Sequence, residues 1–171
     1  MSQQIIQNEE HYQKVIEPIF RAREFVWIGT ADIKDMHVQF QAGKHSFLAV
    51  LDQLIRRKVE VRLLHAKEPG PNFRKSFDKF PGLWNALERQ LCPRVHFKII
   101  VIDGKLAYTG SANLTGAGLG MKSKKKRNFE LGLLTDEPAM VAQIMDAFDE
   151  VWMGNFCKDC GRRIYCGDPI I

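Results

Sequence analysis

Apolar positions along this chain recur with two periods, and the alternation between those periods outlines its elements. Tyr12, Val15, Ile16, Ile19 and Phe20 fall at helical spacing across 9–22, with Asn8 as the candidate cap. Pro18 lies inside that pattern and should kink or split the helix, because it lacks an N–H and clashes with the preceding turn. Residues 24–33, EFVWIGTADI, read as a buried strand. Over 44–58, Phe47, Leu48, Leu51, Leu54 and Ile55 form the stripe of an amphipathic helix. It closes with Arg56, Arg57 and Lys58, which suit the negative end of a helix dipole. The strand VEVRLLHA at 59–66 follows at once.

Residues 67–93 are less regular and carry Pro69, Pro71, Pro81, Gly82 and Pro93. Within them Phe73, Phe77, Phe80 and Trp84 alternate with Arg74, Lys75 and Lys79. That mixture suits base stacking, but aromatic steps of four, three and four suit a core-facing helix better. Val95–Ile102, a turn at Asp103-Gly104 and Leu106–Thr109 predict a β-hairpin. The stretch GAGLG at 116–120 lacks the Gly-Lys-Ser/Thr ending of a phosphate-binding P-loop and reads as a flexible hinge. Phe129–Thr135 is a further strand. Thr135 can cap the last helix, whose core stripe is Val141, Ile144, Met145, Phe148 and Trp152 and whose stop is Gly154. Strands alternating with helices predict an α/β fold, a mixed central β-sheet flanked by helices on both faces. Residues 1–154 make that domain, and 155–171 form a short cysteine-rich tail too small for its own core.

Composition sharpens this in two places. The net charge is +5. The run Lys122, Lys124, Lys125, Lys126 and Arg127 supplies all of that excess, so the imbalance is one local patch that suits a polyanion. No apolar run approaches the ~20 residues that span a bilayer. The start MSQQIIQNEEHYQK lacks the basic and apolar parts of a signal peptide, so no membrane insertion and a cytoplasmic location are expected.

The chemistry lies between 96 and 113, HFKIIVIDGKLAYTGSAN. His96 and Lys98 interrupt an otherwise apolar strand and share one face of it. Asp103 follows at the turn, and Gly110, Ser111 and Asn113 follow the second strand. The order H-x-K-x4-D-x6-G-S-x-N resembles the signature of the phospholipase D superfamily, phosphodiesterases named for their His-Lys-Asp motif. The resemblance extends to Glu130, an acid at the strand after the basic run, and over most of 1–153.

The resemblance implies a phospholipase D-like fold and catalysis without a cofactor. His96 would attack phosphorus and form a phosphohistidine. Lys98, Asn113 and Ser111 would hold the non-bridging oxygens. Glu130 would accept a proton from the other imidazole nitrogen and fix the tautomer. Asp103 belongs to the signature and is expected to organise the turn. A second histidine is needed as general acid, yet none of His11, His37, His45 and His65 carries the full motif: only His65 precedes a lysine by two residues, in His65-Ala66-Lys67, and the Asp and Gly-Ser-x-Asn do not follow it. Small members with one motif solve this by pairing two copies, so a homodimer is expected.

Nucleic acid is the favoured substrate, DNA ahead of RNA, because the basic run lies between the motif and Glu130 and could grip a phosphate backbone. The readings beside this endonuclease are a phospholipase or phosphatidyltransferase, and an idle nucleic-acid-binding subunit of a larger defence or restriction complex. The tail, CKDCGRRIYC, places Cys157, Cys160 and Cys166 at spacings that fit a structural zinc knuckle. Cys92, Asp168 or a histidine could be the fourth ligand, and an iron–sulfur cluster or redox pair is the alternative.

Overall fold

The computed structural model describes residues 2–170. Its centre is a seven-stranded mixed sheet in the order β1-β9-β8-β7-β2-β5-β6. In chain order the strands are β1 (Gln3–Gln7), β2 (Phe25–Thr30), β5 (Glu60–His65), β6 (Leu87–Leu91), β7 (Ile99–Ile102), β8 (Leu106–Gly110) and β9 (Leu131–Thr135). A separate hairpin pairs β3 (His37–Phe40) with β4 (Gly43–Ser46). β2, β5 and β6 run parallel, and β2, β7, β8, β9 and β1 are joined antiparallel. β2 and β7 sit centrally and are buried along nearly their whole length, which is why both read as continuous apolar runs.

Helices cover both faces, as the pattern predicts. On one side a π-helical turn (Tyr12–Ile16) leads into α1 (Glu17–Ile19), with α2 (Phe47–Arg56), α3 (Pro71–Phe77) and α4 (Pro81–Ala86). Their core includes Ile16, Ile19, Leu48, Leu51, Leu54, Phe73 and Leu83 against Ile28, Ile100 and Tyr108. On the other side α5 (Pro138–Trp152) packs Val141, Ile144 and Phe148 against Trp27, Ile99, Val101 and Ala107. Pro18 does not split the first helix: the backbone stays helical through Ile16 and Glu17, and the turn ahead of Pro18 is π-helical.

Several boundaries differ from the sequence reading, each for a local reason. Asn8 does not cap the first helix. It takes a positive φ of 49°, and its side-chain oxygen accepts from the Glu130 N–H instead. The helix expected at 44 begins at Phe47, because Ser46 caps it by accepting from Leu48 N at 3.1 Å. Lys44 and His45 belong to β4, reached through a turn with positive φ at Gln41 and Ala42. Glu137, not Thr135, caps α5, accepting from Ala139 N and Met140 N. β1 and β6 escaped the pattern because QQIIQ and LERQL lack clear alternation. The aromatic stretch at 73–84 is two short helices broken before Pro81. Phe73 and Phe77 enter the core, whereas Trp84 is 57% exposed, edge-on to Phe77 and under the Arg74 guanidinium.

Candidate active site

The hairpin β7–β8 sets the geometry. Its regular strand begins at Ile99 rather than Val95, so His96 and Lys98 lie on the extended segment that enters it. The pairing nevertheless continues outward, because Gly110 N donates to the Lys98 carbonyl at 3.1 Å. Lys98 is buried at 6% exposure, while His96 is exposed. The Lys98 Nζ donates to the His96 carbonyl at 2.6 Å and stands 3.4 Å from His96 Nδ1. Burial pushes the Lys98 ammonium below the ordinary lysine range, against an opposing pull from Glu130.

Ser111 and Glu130 meet where β8 ends and β9 begins. Ser111 Oγ donates a short hydrogen bond to Glu130 Oε2 and accepts from Leu131 N at 3.1 Å. Glu130 Oε1 accepts from Asn128 Nδ2 at 2.9 Å. Glu130 is therefore held by Ser111 and Asn128. Among the described residues no hydrogen bond joins Glu130 to the His96 imidazole, whose Nδ1 stands beside Lys98 Nζ. Ser111 likewise spends its one proton on Glu130, so it can bind phosphate as a donor only when that bond opens.

Asn113 is fixed from β2. Its Oδ1 accepts from Asp32 N at 3.1 Å and lies 3.4 Å from Thr30 Oγ1. A backbone N–H can meet only the amide oxygen, so Nδ2 is the end left to donate to an anion. Leu114 N donates to Thr30 Oγ1, and Ile33 bridges to Leu114, which locks this loop to β2. Gly118 lies against the Asn113 backbone, 2.6 Å from its carbonyl if a Cβ were added, and Leu119 is buried. Gly118 and Gly120 are packed against neighbouring backbone, while Gly116 stands clear.

Thr30 and Asp32 thus position Asn113, and the sequence hinted at this only through a threonine ending an apolar strand. Tyr108 is a second residue the pattern did not single out. It is buried beneath Gly110 and Gly132, its hydroxyl accepts from Ala112 N at 3.2 Å, and His11 packs edge-on at 5.3 Å. Burial pushes its phenol up to about 12.

Asp103 is a structural tie. Its carboxylate accepts from Arg23 N, Glu24 N and Phe25 N at 2.8–3.1 Å, from a turn residue with φ of 53°. In the basic run, Lys122, Lys124, Lys125 and Lys126 are exposed, but Arg127 is engaged in an ion pair with Glu9. A cleft of about 670 Å³ between Tyr12, Lys34, His37, Lys44, Met121 and Lys122 flanks this loop, and none of the motif residues lines it. Cys157, Cys160 and Cys166 share a smaller cavity with Cys92, though among the described residues no three metal-binding side chains are arranged as a ligand set.

Comparison with known proteins fits this geometry. Residues 15–152 match the family model described as cardiolipin synthase, PLD-like domain. The curated proteins contain no match to the chain. Nuc from Salmonella typhimurium, described as a phospholipase D family member, has a similar structure, with a TM-score of 0.63 at 15% identity over 88% of this chain and 93% of that one. NucT from Helicobacter pylori gives 0.61 at 14% identity, over 86% and 93% of the two chains. TrmBL2, an archaeal chromatin protein whose structure is described as showing a mode of DNA binding, gives 0.61 at 14% identity over 90% and 52%. At such identities the likeness is one of fold.

Proposed function

Because the chain belongs to the PLD-like domain family, we propose that it is a phosphodiesterase acting on nucleic acid through a covalent bond to His96. The observation that carries this reading is the buried Lys98 ammonium set 3.4 Å from the His96 ring at an otherwise exposed position. A cation already stripped of water is a ready partner for a phosphate oxygen. On phosphate binding, Lys98 turns from the His96 carbonyl to a non-bridging oxygen, and Asn113 Nδ2 donates to another. A nitrogen of His96 bonds to phosphorus as the bond to the leaving oxygen breaks. That oxygen takes a proton from the His96 ring of a second copy. Water then attacks phosphorus, gives its proton back to the second ring and frees the first.

The dimer this requires has a surface suited to it. Ile5 and Leu131 lie on the α5 face of β1 and β9, beyond the reach of that helix, at 57% and 54% exposure. Leu131 adjoins Glu130, so a second copy covering this strip would bring its own His96 close. The exposed lysines and Phe129, which is 92% exposed directly after them, suit a phosphate backbone and a stacked base. The same two features suit an anionic phospholipid surface, which is the second reading.

One assay separates the readings. The purified protein is incubated with DNA, RNA and anionic phospholipid vesicles in excess chelator, beside His96→Ala. Nucleic-acid cleavage that falls by about 10³-fold or more in the variant is expected. Cleavage undiminished in a folded variant would overturn the mechanism. Lipid turnover would transfer it to the second reading, and salt-sensitive binding without turnover would leave an idle DNA-binding subunit of a larger complex. Sedimentation of wild type and Leu131→Asp tests the dimer, with a monomer of low activity expected from the variant.

A further inference from the structure

The chain has four cysteines, and the fold brings all of them to one place away from the phosphodiester site. Cys92 lies in the turn after β6, while Cys157, Cys160 and Cys166 lie in the tail some 65 residues later or more. All four line a single cavity of about 190 Å³ with Arg94, Phe97 and Asp168. We propose that Cys92, Cys157, Cys160 and Cys166 together bind one zinc ion, which staples the tail to the turn preceding His96.

Three observations support a metal over four unrelated thiols. First, all four are free and half-buried, and none is paired in a disulfide. Second, Cys160 and Cys157 form the tight turn that a Cys-x2-Cys pair needs, with Cys160 N donating to the Cys157 carbonyl. Third, the surroundings suit a site with four thiolates and a net negative charge. Arg94 Nη1 stands 3.8 Å from Cys160 Sγ, so a guanidinium already lies against one of the four thiols.

The thiols line the cavity wall instead of facing one centre. Zinc binding therefore requires the sulfurs to rotate about their Cα–Cβ bonds toward one centre. Binding then releases the thiol protons and replaces mutual repulsion among thiolates with attraction to the cation. Asp168 Oδ2 accepts from Leu91 N at 2.9 Å and so fixes the tail's end, and the four thiols are assigned as the ligands without it. Soft thiolates in tetrahedral number select zinc among the common divalent ions.

The test uses the full chain, reduced and freed of metal, then titrated with zinc or with cobalt as a spectroscopic probe. One equivalent should bind, cobalt should give intense thiolate charge-transfer bands, and zinc should protect all four thiols from alkylation. Cys92→Ser should weaken zinc binding at least about 10-fold. Asp168→Ala should retain the full cobalt spectrum. Circular dichroism of each variant shows whether the domain is folded, and limited proteolysis reads the tail, which zinc should protect in wild type and Asp168→Ala but not in Cys92→Ser. Disulfides by mass spectrometry, a cobalt spectrum unchanged in Cys92→Ser, or four freely alkylated thiols in the presence of zinc would each overturn the site. None of these readouts depends on phosphodiesterase activity.

Discussion

Two residues of the signature have consequences that separate chemistry from scaffold. Asp103 accepts three backbone N–H groups of the entry to β2, so Asp103→Ala strands donors that only water can then reach. Urea unfolding should show a loss of about 1–3 kcal/mol, while the folded fraction keeps its rate per molecule. Lys98 behaves in the opposite way. Its burial lowers the pH at which the ammonium loses its proton, and loss of that charge removes the group proposed to hold phosphate. The alkaline limb of kcat/KM should accordingly fall below the ordinary lysine value of about 10.4. Lys98→Arg should move that limb upward, whatever it does to the rate.

Among the elements, the approach of β8 to β9 is the tightest constraint at the site. A Cβ at Gly132 would stand 2.3 Å from Tyr108 Cε2, and one at Gly110 would meet the Gly132 Cα and the Leu131 carbonyl at 2.6 Å. Gly132→Ala should cost about 1–3 kcal/mol by overpacking, read as a lower Tm, and should disturb the Ser111–Glu130 bond. Gly116→Ala meets nothing within 4 Å and is the control, with little change expected. At α5, Glu137→Ala removes the carboxylate that accepts two N–H groups of the first turn, and about 1 kcal/mol of stability should go with it.

For the molecule as a whole, two buried histidines govern the response to acid. Desolvation holds His11 and His65 below the ordinary value of 6.5, with their Nε2 atoms buried and unpartnered. The neutral rings belong to the folded state, so the unfolded chain binds more protons once the pH drops below that value. Stability should be full above about pH 6.5 and decline as the pH falls toward the lower folded-state values, levelling off beneath them. Denaturant midpoints across this range check it, and His65→Gln should flatten the decline. The exposed lysines act at long range instead. Replacing Lys124, Lys125 and Lys126 by Ser should weaken DNA binding and reduce the salt slope by about 1 for each phosphate no longer neutralised.

What the sequence determined alone is what local spacing and chemical type can encode. Periodicity located α2, α5 and the central strands, because burial on one face forces a period of 3.6 and burial on both faces forces an apolar run. The signature from His96 to Asn113 was legible for the same reason, since one hairpin carries it. Tertiary structure decided whatever depends on groups distant along the chain. Thr30 and Asp32 hold Asn113 across more than eighty residues, Asn8 ties down Glu130, and Ser111 rather than His96 takes the Glu130 carboxylate. It also decided that Cys92 joins the three tail cysteines. Pairing across such distances leaves no periodic trace in sequence, because each partner's local environment is satisfied only once the sheet has formed.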